Sequence, residues 1–196
     1  PQVRDRLATV RAVDPGAYEE YLKGRYQWHR RTRESLQLAI QHYTRALERD
    51  PSYAPAHAAL ADCYNHLATV LLGGAPPREP RSRAAAQATK ALQIDPSLAE
   101  AHAALGYARH YEWQWQEAEQ EVQQAIALNP SYALARLWYA NLLMSRSRFD
   151  EALAQAYAAR AVDPYSLITT ANIGWILLHA GRPREAADEL ERALAL

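Results

Sequence analysis

The sequence predicts an all-α protein, a solenoid of about five stacked helix pairs. Three observations predict it. An Asp-Pro or Asn-Pro dipeptide returns at Asp14-Pro15, Asp50-Pro51, Asp95-Pro96, Asn129-Pro130 and Asp163-Pro164, with 34 residues from Asp95 to Asn129 and again from Asn129 to Asp163. A fixed period of this size marks a repeat architecture, in which each unit buries its apolar face only against its neighbours. Between the dipeptides, apolar and small residues recur at helical spacing, twice per unit. The apolar share, 49% of 196 residues, is rich in alanine, which suits helices packed closely on one another.

The elements follow in order. Residues 1–15 read as a linker or the remnant of a preceding segment. The first unit, about 16–51, carries Leu22, Gly24 and Trp28, then Ala39, Tyr43 and Ala46, with Arg30-Arg31-Thr32-Arg33 at its turn. The second, about 52–96, has Leu60, Ala61 and Tyr64, then Ala84, Ala88 and Ala91. Its extra length falls between its helices, around Gly73-Gly74 and Pro76-Pro77, where such residues break helices. The third, about 97–130, is the cleanest. A first helix over about Ala99 to Glu112 is followed by one over about Trp115 to Leu128, with Ala118, Val122 and Ala125 on one face. Gly106 and Ala118 are small, so the two helices are expected to approach closely. Asn129-Pro130 closes the unit because the residue before a proline is driven from helical dihedrals. The fourth, about 131–164, repeats this with Tyr139, Ala140, Ala152, Ala156 and Ala159, and the fifth, about 165–196, with Ile173, Gly174, Ala186, Leu190 and Ala193.

Composition excludes several classes. With 22 basic and 22 acidic side chains, the chain lacks the excess positive charge of a nucleic-acid binder. No run of 18 apolar residues exists, so no membrane span is expected. The single cysteine, Cys63, has no internal disulfide partner, which fits a reducing, cytoplasmic compartment. The chain begins at Pro1 without a methionine and stops inside an apolar helical pattern at Leu196. It is therefore expected to be part of a longer protein.

This pattern resembles the tetratricopeptide repeat, a 34-residue helix-turn-helix with a Leu-Gly-like pair, two small alanines and a closing proline. The resemblance covers about Gly16 to Leu196. It departs in the long second unit and in alanines, Ala88 and Ala156, where the family often carries an aromatic. A finer resemblance rests on Ala17-Tyr18-Glu19-Glu20-Tyr21-Leu22-Lys23-Gly24-Arg25-Tyr26, on Trp28 and on the long second unit. These look like repeat regions of large bacterial signalling proteins, in which such arrays follow a DNA-binding, kinase or cyclase-related domain. The resemblance implies a right-handed superhelix whose concave side is lined by the first helix of each unit, and a protein- or peptide-binding scaffold within a regulatory protein.

Helical spacing places a candidate face. Ala103, Tyr107, His110 and Tyr111 fall at i, i+4, i+7 and i+8, apart from the face that carries Leu105 and Gly106. The equivalents are Ala58, Asp62, Asn65 and His66; Leu137, Asn141, Met144 and Ser145; and Ala171, Trp175, Leu178 and His179. The expected peptide-binding set is therefore Asp62, Asn65, His66, Tyr107, His110, Tyr111, Asn141, Met144, Trp175 and His179. Asparagines can bond a peptide backbone, and Tyr and Trp are favoured anchors. Some family members clamp a terminal carboxylate with cations. The matching positions here read Ala58, Ala59, Asp62, Glu100, Ala103, Ala104 and Tyr107, which would repel one, so no such clamp is expected.

No enzyme, metal or cofactor is expected. No two histidines have the i, i+4 spacing that would put both on one metal, clustered acids are lacking, and Gly73-Gly74 lacks the lysine of a phosphate loop. Cys63 sits in an alanine-rich helix and reads as a small buried residue. Arg30, Arg31 and Arg33, and Arg78, Arg81 and Arg83, read as solvated turns and helix ends, or as a docking patch for an acidic partner. Trp113 and Trp115 flank a turn; Trp115, Phe149 and Pro183 share one position, which points to packing. Three alternatives stand beside the scaffold: self-assembly through an uncapped edge of Leu190, Leu194 and Leu196; docking onto a domain of the same parent chain; and sensing of a small molecule among Tyr107, His110, Met144 and Trp175.

Overall fold

The computed structural model describes residues 13–69 and 78–196. Residues 1–12 of the expected linker 1–15, and residues 70–77 around Gly73-Gly74 and Pro76-Pro77, lie outside them. The described residues form ten α-helices: α1 (Pro15–His29), α2 (Arg33–Arg49), α3 (Ala54–Leu67), α4 (Arg78–Ile94), α5 (Ala99–Tyr111), α6 (Trp115–Leu128), α7 (Ala133–Ser145), α8 (Phe149–Val162), α9 (Leu167–His179) and α10 (Pro183–Leu194). Each odd-numbered helix packs on the even-numbered one that follows, and among the described residues the helix backbones approach only those of adjacent pairs. The array is a solenoid of five helix pairs.

The Asp/Asn-Pro dipeptides set its period. Asp50, Asn129 and Asp163 each end a helix at φ near −135° and ψ near 87°, the extended region required before proline. At three of these turns the side chain folds back two residues: Asp50, Asp95 and Asn129 accept from the backbone N–H of Ser52, Ser97 and Ser131 at 3.2, 2.9 and 3.2 Å. This is an Asx-turn, and it starts the next helix in a fixed direction. At the chain's start Asp14 caps α1 directly, its Oδ1 accepting from Ala17 N–H at 2.8 Å.

Seven residues after Asp50, Asp95 and Asn129 stand His57, His102 and Arg136. Each reaches back to the carbonyl of its turn proline and across to the second helix of its own unit. His57 spans Pro51 O (3.1 Å) and Gln87 Oε1 (2.6 Å); His102 spans Pro96 O (3.0 Å) and Glu121 Oε2 (2.6 Å); Arg136 spans Pro130 O (3.2 Å) and Gln155 Oε1 (3.2 Å). One side chain thus ties a turn, a first helix and a second helix. In the fifth unit the position holds Thr170, too short to span; its hydroxyl has no partner, and Glu189 pairs instead with Arg160.

The turns inside the pairs use a left-handed residue at one shared place: Arg31 (φ 51°), Trp113 (φ 65°), Ser147 (φ 59°) and Gly181 (φ 74°). Only glycine adopts this conformation without a steric penalty. Within each pair the helices approach at small residues, as expected. A Cβ on Gly106 would stand 2.5 Å from Val122 Cγ2, and one on Gly24 2.5 Å from the Tyr43 ring. The core is a series of clusters bridging neighbours: one around Tyr43 and Leu60, one around Leu105 and Trp138, one around Leu142, Leu143 and Ile173. Cys63 is fully buried in the first of these. Leu190, Leu194 and Leu196 are exposed.

Two stability outcomes follow. His57→Ala and His102→Ala should each lower unfolding free energy by about 1–2 kcal/mol in urea titrations, the cost of losing two partly exposed hydrogen bonds. Ser147→Gly should raise it by about 1 kcal/mol by relieving a left-handed non-glycine residue.

Candidate binding groove

The first helices α1, α3, α5, α7 and α9 enclose a groove of about 600 Å³. Tyr18, Tyr21, Arg25 and Trp28 give it a stripe along α1 at i, i+3, i+7 and i+10. Ala59 and Asp62 come from α3, Glu100 from α5, Leu134 and Leu137 from α7, and Ile168 and Thr169 from α9. Tyr53 and Tyr132, each the last residue before a first helix, wall it at the turns.

At one end stands a compact polar group. Asp62 is 8% exposed, and its Oδ1 has no hydrogen-bond partner. Burial pushes its carboxyl well above the ordinary range, against the pull of the nearby Arg31 cation. The Arg31 guanidinium stacks on the Trp28 ring at 4.4 Å and its Nη1 lies 3.2 Å from His66 Nε2. His66 Nδ1 bonds the Asp62 backbone carbonyl at 2.9 Å. This arrangement needs the proton on Nδ1 and leaves Nε2 as the acceptor for Arg31. Burial, with the adjacent Arg31 charge, lowers the His66 pKa to about 4. The Trp28 indole Nε1–H has no acceptor.

Of the ten sequence-predicted site residues, Asp62 lines the groove. Several of the others bond or stack on the neighbouring first helix. Asn65 is fully buried and donates to Ala104 O at 2.9 Å. His110 Nε2 meets Ser145 Oγ at 2.9 Å, and Asn141 Oδ1 accepts from Asn172 Nδ2 at 2.8 Å. These three bonds form a ladder from α3 to α9. Tyr107 stacks on Tyr111 and Trp138, with ring centroids 4.9 and 4.8 Å away, and Arg81 covers Tyr111. Met144 packs against the core. Trp175 and His179 are exposed and touch each other, with ring centroids 4.6 Å apart. Helical spacing places residues on a face but does not separate a solvent-facing position from one covered by the next helix.

The sequence reading missed Tyr21, Arg25, Arg31, Trp28 and Tyr132. The first four lie in and after the aromatic-rich stretch of the first unit, and the register of α1 turns Tyr21, Arg25 and Trp28 to one side. Tyr53 and Tyr132 had a signal of their own, since both follow Pro-Ser at the turn before a first helix. The two arginine groups are partly engaged: Arg31 on Trp28, Arg81 on Tyr111, and Arg83 with Glu79 at 2.7 Å. Among the described residues no group of three or more His, Cys, Asp or Glu side chains could hold a metal ion, and no helix is long and apolar enough to cross a membrane.

The stacking of helix pairs into a solenoid is matched in solved structures. TTC0263, a thermophilic TPR protein of Thermus thermophilus, aligns with TM-score 0.68 and 23% identity over 84% of this chain and 82% of its own. The chain folds as a tetratricopeptide-repeat array. YrrB, described as a TPR protein with an unusual peptide-binding site, aligns with TM-score 0.54 and 22% identity over 98% and 90% of the two chains. MamA aligns with TM-score 0.57 and 25% identity over 83% and 88%. No family model and no curated protein matches the sequence. The His57, His102 and Arg136 bridges fix each turn to the unit that follows it, and the Asn65, His110 and Asn141 ladder joins successive units.

His66 and His110 make the array acid-sensitive. Burial, aided by Arg81, also lowers the His110 pKa to about 4. Both folded-state values lie below the ordinary 6.5, so the unfolded chain takes up protons first as pH falls. Their contribution is complete above about pH 6.5 and is lost toward about pH 4. Between about pH 7.5 and 5.0 each should cost about 2 kcal/mol of unfolding free energy. His110→Gln, measured in urea at both pH values, should show a correspondingly smaller loss than the parent chain.

Proposed function

We propose that this array is a protein-binding scaffold that holds an extended peptide segment in the groove of its first helices, and that it serves as a cytoplasmic module of a larger bacterial regulatory protein. The observation that carries the reading is the groove itself. About 600 Å³ lies within the range of ligand sites, and all five units contribute to it. Its walls mix tyrosine rings, aliphatic side chains and a few polar groups, a combination suited to a peptide's alternating backbone and side chains. The peptide-binding site described for YrrB supports the same use of the fold. The regulatory setting rests on the resemblance of the Ala17–Trp28 stretch and the long second unit to repeat regions of bacterial signalling proteins. Trp175, seven residues after Ile168 on α9 and 52% exposed, would extend the surface beyond the groove; Tyr111, 37% exposed, stands at the end of α5. No reaction is assigned.

The test is selection from a phage-displayed library of random dodecapeptides, followed by titration of a selected peptide. Leu134→Arg and Ile168→Arg, which place a long cation across the groove, should weaken binding at least tenfold, about 1.4 kcal/mol. Leu128→Arg, exposed and outside the groove, should not. Equal binding by all three variants, with unchanged circular dichroism, would reject the groove as the site.

A further inference from the structure

The groove is not uniform, and its Asp62 end has features the fold does not require. Asp62 is nine-tenths buried, and among the described residues no hydrogen bond or ion pair reaches its carboxylate. Taking a carboxylate out of water without a partner costs several kcal/mol or forces it to take up a proton. The neighbouring Arg31 does not neutralise it by contact. Its guanidinium is committed to the Trp28 face, 4.4 Å away, and to His66 Nε2, 3.2 Å away. Other buried atoms without partners, Asn65 Oδ1 and His110 Nδ1, belong to side chains that bond a neighbouring helix and do not line the cavity. Asp62 and Trp28 do line it, and the Asp62 Oδ1 and the Trp28 indole N–H are each without a hydrogen-bond partner.

The walls around these two groups restrict what completes them. Tyr21, Tyr132 and Trp28 line the same cavity as Asp62, and Glu100 adds a second carboxylate to it. Aromatic faces attract cations, most strongly where water is excluded. A free carboxylate among such rings calls for a cation on an apolar stem; the unused indole N–H calls for a carbonyl. A basic residue within a peptide supplies both.

We propose that the Asp62 end of the groove is a subsite for one lysine or arginine side chain of an extended peptide, its cation paired with the Asp62 carboxylate and a backbone carbonyl accepting from Trp28 Nε1. This rests on the groove reading above and adds to it the chemistry of the partner. The charged groups facing the subsite are Arg31 from the turn after α1, Arg25 from α1 and Glu100 from α5. The charge of a cation seated there would offset the desolvation that raises the Asp62 carboxyl. Asp62 would then be kept for binding at a cost to the free protein.

The same dodecapeptide library tests this. Selection on the parent chain should enrich lysine or arginine at one fixed position, and selection on Asp62→Asn should not. In a selected peptide, replacing that lysine by norleucine should weaken binding to the parent chain at least tenfold, and to Asp62→Asn less than threefold. Asp62→Asn, which keeps the shape and removes the stranded charge, should raise Tm in the absence of peptide. A lower Tm would make Asp62 a structural residue and overturn the proposal. Peptides whose binding is lost in Leu134→Arg but unaffected by norleucine would overturn the cation subsite and leave the groove reading intact. If no selected peptide responds to Leu134→Arg, both readings fall.

Discussion

Everything in this molecule depends on how the chain leaves one helix and enters the next. An aspartate or asparagine before proline cannot stay helical, so each second helix stops at a set residue with nearly the same dihedrals. The side chain then captures the serine two residues on, and a histidine or arginine seven residues on clamps the proline carbonyl to the unit's second helix. Helices of alanine have little shape to dictate their mutual angle. The polar clamps supply the direction that the small side chains cannot. Where the clamp is a threonine, in the last unit, a bridge from the preceding unit, Arg160 to Glu189, takes over.

The fold was legible because its determinants are local and repeated. The 34-residue interval, the small residues at Gly106 and Ala118, and the second helix Trp115–Leu128 all came from spacing. The groove was less legible, for a physical reason. Along a first helix, the positions facing the concavity and those facing the next first helix differ by a fraction of a turn. Asn65 and Asp62 are three residues apart; one is buried against Ala104, the other opens to the groove. Tyr132 escapes the helical pattern for a different reason, and only the Pro-Ser before it marks it. It precedes its helix and so belongs to no helical stripe, yet the turn aims it at the same space.

A division of labour runs along α3, α5 and α7. Toward the C-terminal end, the polar and aromatic side chains join neighbours: Asn65, His110 and Asn141 by hydrogen bonds, Tyr107 through Trp138. Toward the N-terminal end they are left facing the cavity. The ladder is built of neutral groups, including a histidine held uncharged by burial. The charged residues of the concavity stand where the helices part. A tetratricopeptide array thus acquires a site without any element devoted to it, from side chains that the stacking leaves uncovered.

Because backbone packing stops at the adjacent unit, the two walls of the groove on α1 and α9 never touch. The distance between them is set by four successive unit-to-unit junctions. Small rotations of the same sense add, so the array behaves as a spring, softest in the direction that opens or narrows the groove. Rings and hydrogen bonds cross between units around Trp138 and the Asn65 bond, and the Arg160–Glu189 pair ties the last unit to the one before it. A segment lying along all five units would therefore do mechanical work on the superhelix, and its hold would be sensed as a change of curvature at both ends of the chain.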